Sequence, residues 1–420
     1  MTFPQTLSLV LLIVVLLLAV WKKVNIGTLS LGAAFVLVLV SGADTGEMYE
    51  AFPASLVVLI IGVSLMFSHL QLSGSIHWVI DGAFRVVGDR KALIPWVGFL
   101  LGGFLSTVGV FSTGPIAVLV PLVAFISVSY RGTYLINELG VILGAVALGM
   151  SPLNPTGATI SRLASDAGVT YSEWGLWAVA VVVTAVVLAV LQVVFAALGR
   201  KGKLLIEPQA AQVEEGKGPA QVKNKVYAVS SLVGLGIFVV CVVVFGLDVG
   251  LTSMAVAAVL QLVFRPSQDG MFDQVPWSAV LLIGGLLTYL GLLQSTGTID
   301  AIQDALGGAA AGALLLLVLA YLTALLCNVE SSALGVLSMT MPLVFGFFGD
   351  SPAIFWVVAA VAIPSGLMVM NPIHIAGTLV VGNAEVKRQN DVFRAFMVTA
   401  LCMTAVVPGV LCILPLVVGL

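Results

Sequence analysis

Apolar residues run through this chain in blocks of about twenty, the length needed to cross the hydrocarbon core of a bilayer. Spans are predicted over residues 6–21, 26–40, 54–70, 134–150 with a continuation to 163, and 174–198. A second set falls at 226–245, 251–264, 277–293, 353–370 with a continuation to 381, and 392–418. Between the sets lies the one clearly polar stretch, 199–225, with Glu214-Glu215-Gly216-Lys217-Gly218-Pro219 at its centre. It reads as a solvated linker. Two more apolar regions, 92–127 and 307–347, are interrupted midway by small and polar residues. The interruptions are Ser106-Thr107-Val108-Gly109 and Cys327-Asn328-Val329-Glu330-Ser331-Ser332. Each region is either two spans or a re-entrant hairpin whose tip stops inside the membrane.

Charge decides between them. If both are hairpins and Lys22-Lys23 faces the cytoplasm, every lysine and arginine except Arg162 falls on the cytoplasmic side. Asp44, Glu47, Glu50, Asp300 and Asp350 then fall outside. Opening either hairpin into two spans scatters the basic residues over both faces, so the positive-inside rule favours hairpins. The expected fold is an all-α polytopic membrane protein, multi-pass in the cell (inner) membrane, with both termini outside. Each half contributes five spans, one hairpin and one broken helix.

The two halves repeat at a spacing of about 220 residues. Met150-Ser151-Pro152-Leu153-Asn154-Pro155-Thr156-Gly157 aligns with Met370-Asn371-Pro372-Ile373-His374-Ile375-Ala376-Gly377. The run from Ser106-Thr107-Val108 to Pro121-Leu122-Val123 aligns with that from Cys327-Asn328-Val329 to Pro342-Leu343-Val344. Upstream, Pro53, Gly62, Gln71, Gly74 and Ile76 match Pro276, Gly285, Gln294, Gly297 and Ile299. An odd number of spans per half requires the second repeat to be inverted. The expected organisation is a first repeat over 1–199, a cytoplasmic linker over 200–225, and a second repeat over 226–420.

Composition excludes a soluble domain: 60 % of residues are hydrophobic and 9 % charged, and the mean hydropathy is +1.16. The net charge of −3 identifies no partner. No basic cluster suggests nucleic acid. Cys241, Cys327, Cys402 and Cys412 lie in apolar stretches without metal-ligand spacing and read as small buried hydrophobes. The N-terminus lacks the basic start of a signal peptide, so the first apolar run is read as a spanning helix.

Irregular backbone at membrane depth survives only against protein or a wet cavity. Four such points recur here as two pairs, two hairpin tips and two helices broken at Pro152 and Pro372. Broken helices offer N-terminal amides to an anion and freed carbonyls to a cation. Candidate binding residues are Ser106, Thr107, Ser112 and Thr113 at the first tip, and Asn328, Ser331 and Ser332 at the second. Ser151, Asn154, Thr156, Asn371, His374 and Thr378 occupy or adjoin the broken helices. Glu330 is a candidate coupling-ion ligand or proton carrier, against the alternative of an outer vestibule residue. His374 stands where the first repeat has Asn154, and reads either as a donor to a carboxylate, as a proton carrier, or as a helix cap. Arg162 reads as a snorkelling helix end, Glu138 as a solvated residue near the start of its span, and His69 as packing. Gly98/Gly102 and Gly140/Gly144 have the spacing that brings membrane helices close.

Two halves, each with a re-entrant hairpin and a broken helix, resemble the ion-transporter superfamily that includes the divalent anion:sodium symporters. The stretch 277–289, Trp-Ser-Ala-Val-Leu-Leu-Ile-Gly-Gly-Leu-Leu-Thr-Tyr, followed by Gln294 and Gly297-Thr298-Ile299-Asp300, resembles the malonate/C4-dicarboxylate carrier family. The resemblance implies a homodimer whose transport domain moves like an elevator. It implies a small-molecule anion as the partner, with substrate carboxylates and sodium ions between hairpin tips and broken helices, and no other cofactor. The symporters' tips read Ser-Asn-Thr, whereas these read Ser106-Thr107-Val108 and Cys327-Asn328-Val329, so proton coupling stays open beside sodium. The expected function is secondary active transport of a dicarboxylate such as malonate or succinate. A cation/proton antiporter or an inorganic oxyanion transporter on the same scaffold is the alternative. No His-Glu-x-x-His, Gly-x-Gly-Asp or Gly-x-Ser-x-Gly sequence supports an enzyme. A channel would need a continuous polar path, which a two-fold repeat with closed hairpins does not suggest.

Overall fold

The computed structural model describes the chain except residues 1, 23, 42–43, 77, 80–81, 83–89, 129–132, 201–223, 299–300, 302–311 and 330–332. The linker therefore lies almost wholly outside the described residues, and Glu330, Ser331 and Ser332 lie outside them too. What is described is almost entirely helical. In the first half the main helices are α1 (Phe3–Lys22), α2 (Ile26–Ser41), α3 (Ala54–Leu72), α4 (Ile94–Thr107), α5 (Thr113–Val128), α6 (Tyr134–Ala147), α7 (Pro155–Asp166) and α8 (Glu173–Arg200). In the second they are α9 (Lys225–Val243), α10 (Val249–Phe264), α11 (Trp277–Ser295), α12 (Gly312–Val329), α13 (Ala333–Phe348), α14 (Ile354–Leu367), α15 (Ile375–Asn383) and α16 (Gln389–Val418).

Among the described residues, seven helical stretches are long and apolar enough to cross a membrane, and further apolar helices are shorter. The chain is a multi-pass all-α membrane protein. The shorter helices include both arms of each expected hairpin: α4 with α5, and α12 with α13. Both second arms carry an internal proline, Pro121 and Pro342.

The broken helices are built alike. Each ends its first segment in a 3-10 turn, Leu148–Met150 and Met368–Met370. The next residue precedes a proline, whose ring disfavours helical backbone there. Ser151 and Asn371 are accordingly extended, with ψ of 140° and 132°. The chain then turns back on itself so tightly that a Cβ at Gly157 would lie 2.1 Å from the Ser151 carbonyl oxygen, and one at Gly377 2.4 Å from that of Asn371.

Buried side chains form two cores. One is built mainly from α4–α8 and α12–α16 with the C-terminal half of α3 and parts of α9 and α10, the other from α1, α2, the N-terminal half of α3 and α11. Around the second core α2 packs on α11, and α3 packs on α10. Both crossings run backbone to backbone at glycine. A Cβ on Gly27 would sit 1.9 Å from the Leu281 carbonyl oxygen, and one on Gly285 1.9 Å from that of Gly27. Gly62 and Gly250 play the same parts at the other crossing, where a Cβ on Gly62 would sit 2.6 Å from the Gly250 carbonyl oxygen. In the first body Gly140 and Gly144 bring α6 against Pro95 and Phe99 of α4 in the same way. Without a hydrophobic drive between helices in lipid, such close contact is a main source of helix association. Gly285→Ala is therefore expected to part α2 from α11 and sharply lower the yield of monodisperse protein in detergent gel filtration. Gly32→Ala, where a Cβ meets nothing within 4 Å, should leave that yield unchanged.

Candidate functional site

A cavity of about 700 Å³ lies between the two bodies. Its inner wall includes Ser112 and Thr113 from the first hairpin, Thr156 of α7, and His374, Ile375 and Ala376 at the start of α15. Its mouth carries Val24 and Asn25 of the α1–α2 turn, and Pro276 and Ser278 at the start of α11. Asn25 closes part of that rim by donating its amide to the Ser278 carbonyl at 2.8 Å. A second cavity, of about 570 Å³, is lined by Glu50, Arg162, Asp166, Gln294 and Asp350. Both α7 and α11 run from the first cavity to the second, so the two lie at opposite ends of these helices. Arg162 does not stand alone there: its Nε lies 3.0 Å from an Asp166 carboxylate oxygen one helical turn on.

The first broken helix is fastened to the first hairpin tip. Asn154 precedes α7 in extended backbone, and its Oδ1 accepts from the Thr156 amide at 3.0 Å. Its Nδ2 donates to the Ser106 carbonyl at 2.9 Å and to the Val110 carbonyl at 2.7 Å. Ser151 Oγ donates to the Thr107 carbonyl at 2.8 Å and accepts from the Leu153 amide at 3.2 Å. Gly109 turns the tip with a φ of +112°, in the region that favours glycine. The Thr107 hydroxyl is held by the indole nitrogen of Trp177 at 3.3 Å. Thus Ser151, Asn154 and Thr107 are occupied with one another's backbone and with α8. Ser106 is buried, with an Oγ that has no partner among the described residues.

The second broken helix is tied to its tip by different chemistry. Asn371 Oδ1 accepts from the Ile373 amide at 3.0 Å, and its Nδ2 donates to Asn328 Oδ1 at 2.8 Å. Asn328 in turn donates to the Ala324 carbonyl at 2.9 Å and to Thr404 Oγ1 at 2.8 Å. Thr378 Oγ1 donates to the Pro372 carbonyl at 3.0 Å. His374 holds the N-cap position of α15 but makes no side-chain capping bond, which sets aside the cap reading. It is 6 % exposed and faces the cavity. The first amides of a helix have no carbonyl partner within it and carry the positive end of its dipole. At α7 one of them is consumed by Asn154; at α15 no side chain at the cap position does so.

The structure therefore gathers Ser112, Thr113, Thr156 and His374 at one cavity. It places Asn328, Asn371 and Thr378 beside it as a support, and Ser106, Thr107, Ser151 and Asn154 in the tip clasp. Thr404 was invisible in sequence, being one hydroxyl on a long apolar helix that satisfies itself on the Ala400 carbonyl at 2.8 Å. Glu138 corrects an expectation. It is not solvated but fully buried, and neither carboxylate oxygen has a partner among the described residues. The packing of α4, α8 and α14 around α6 covers it, which no local sequence pattern reveals.

Residues 2–149 match the family model described as the dicarboxylate carrier protein MatC N-terminus. The chain resembles the dicarboxylate carriers. The match takes in α1 to α6, including the first hairpin and its tip, and stops at the break before α7. It is a match to a membrane carrier and not to an enzyme. No curated protein matches the chain.

Proposed function

We propose that this chain is a secondary active transporter of a small dicarboxylate such as malonate or succinate. The observation that carries the reading is the cavity in which Ser112, Thr113 and Thr156 face His374 and the open first turn of α15. One carboxylate takes the α15 amides and the His374 ring, and the other takes the hydroxyls across the cavity. Helix N-termini are ready anion sites, and a substrate with two anionic ends uses both walls. The dicarboxylate-carrier match over the first third of the chain supports the same substrate class.

The transport cycle follows from two inverted repeats with re-entrant hairpins. The body of α4–α8 and α12–α16 slides as an elevator against that of α1–α3 and α9–α11, which holds a homodimer together. The glycine crossings support the inversion, since α2 meets α11 as α10 meets α3, with repeat-related glycines at both. With the basic residues cytoplasmic, the cavity opens inward, both termini lie outside the cell membrane, and the linker over 200–225 is a cytoplasmic tether.

The test is uptake of labelled malonate and succinate into proteoliposomes under an inward sodium gradient, an inward proton gradient, or neither. Gradient-stimulated uptake of either acid is the expected result. Sodium stimulation makes the protein a symporter despite its altered tips, and proton stimulation moves coupling to a titratable side chain. No uptake by folded protein under any gradient sinks the dicarboxylate assignment.

A further inference from the structure

The carboxylate of Glu138 has no role in the site described, yet it is fully buried beside the larger core, one turn into α6. Among the described residues, the helices and turns packed against α6 leave it without a countercharge. Among the residues of α4, α5, α14 and the two 3-10 turns there is no Asp, Glu, Lys, Arg, His, Tyr or Cys. On α8 the charged residues are Glu173 and Arg200, at its two termini. The titratable neighbour is Tyr134, one turn earlier on α6 itself. An ionised carboxylate buried without a donor or an opposite charge is costly, so the group is retained only with a cation on it.

Side chains on a helix lean toward its N-terminus, which brings Glu138 toward the turn of Tyr134. Tyr134 is fully buried, and its hydroxyl donates to the Val380 carbonyl at 2.6 Å. Val380 belongs to α15, whose first turn lines the cavity. One short helix therefore joins the proposed anion site to Tyr134, one turn before Glu138 on α6.

We propose that Glu138 is a proton-binding site of the transport cycle, closed off in this state by the packing around α6 and opened by movement of α15, to which Tyr134 is tied. The proton comes from water at the end where α6 begins and returns to water, with no other exchange. This rests on the carrier reading above. A substrate held by the α15 amides shifts that helix, and the Tyr134–Val380 bond transmits the shift.

Two measurements test it. In proteoliposomes, Glu138→Gln should lose all stimulation of dicarboxylate uptake by an inward proton gradient, while substrate counterflow, which moves no net proton, persists. Stimulation retained by Glu138→Gln overturns the proposal, as does loss of sodium stimulation in place of proton stimulation. The second measurement needs no substrate. Infrared difference spectra of wild type against Glu138→Gln should contain the carbonyl stretch of a protonated carboxylic acid at neutral pH, slow to shift in deuterated buffer and faster in Tyr134→Phe. If Glu138→Gln does not fold, Glu138→Asp should move that band rather than delete it. An ionised Glu138 in the infrared overturns the proposal even where transport is measured, whereas a protonated Glu138 in a protein without uptake sinks only the carrier reading.

Discussion

His374→Ala should leave a folded protein whose dicarboxylate uptake falls about ten- to a hundredfold, mainly through a raised KM. A hydrogen bond to a charged group contributes about 1.5–3 kcal/mol, and each 1.4 kcal/mol is about tenfold in affinity. His374 sits at the cavity wall without a side-chain bond to the α15 backbone, so its removal breaks no cap. The sharper variant is His374→Asn, which rebuilds the cap that Asn154 supplies to α7. An N-cap asparagine stabilises a helix by about 0.5–2 kcal/mol over a residue that does not cap. It also occupies an amide that the proposed substrate carboxylate needs. His374→Asn is therefore expected to raise the melting temperature in detergent and to lower uptake as far as His374→Ala does. A variant that is both more stable and fully active would rule out the α15 amides as the anion site.

That contrast shows how far the sequence could be read. The apolar helices and the two breaks were legible because each is written in long apolar runs with a proline or a polar interruption. The glycine crossings were half legible. Gly98/Gly102 and Gly140/Gly144 announce a close contact by spacing, while Gly27 meets Gly285 from opposite halves of the chain, which no local pattern records. The site was legible as a neighbourhood but not as a division of labour. Asn154 and His374 align, yet one is spent on the backbone of its cap and tip and the other faces the cavity, because an amide side chain can cap and clasp at once where this imidazole does not cap. Glu138 was misread for a related reason. Its place near a predicted span end suggested water, and its burial comes from helices distant in sequence that pack over that end.

The largest effect on folding is expected at Asn154. Its side chain makes three bonds at once, to the carbonyls of Ser106 and Val110 and from the amide of Thr156. It is completely buried. Asn154→Ala orphans the Val110 carbonyl and the Thr156 amide, at a cost of about 1–3 kcal/mol each, while the Ser106 carbonyl keeps the Gly109 amide at 3.1 Å. The sum, about 2–6 kcal/mol, reaches the low end of the whole stability of an ordinary domain. The variant should give little folded protein, and what folds should be cut by protease at the first tip. Asn154→Asp separates the two duties of the side chain. Its carboxylate still accepts from Thr156, so the cap on α7 survives, but it presents oxygen to the Ser106 and Val110 carbonyls where the amide presented hydrogen. If the clasp holds the tip, Asn154→Asp should approach Asn154→Ala in melting temperature and protease sensitivity. If the cap alone matters, it should match the wild type. The same reasoning fixes the order of events at the cavity. A tip held by the backbone of its own broken helix moves with that helix, so the wall bearing Ser112 and Thr113 travels with Thr156. Loosening this tip alone would first have to break the Asn154 bonds, as the proposed sliding of the two bodies would not.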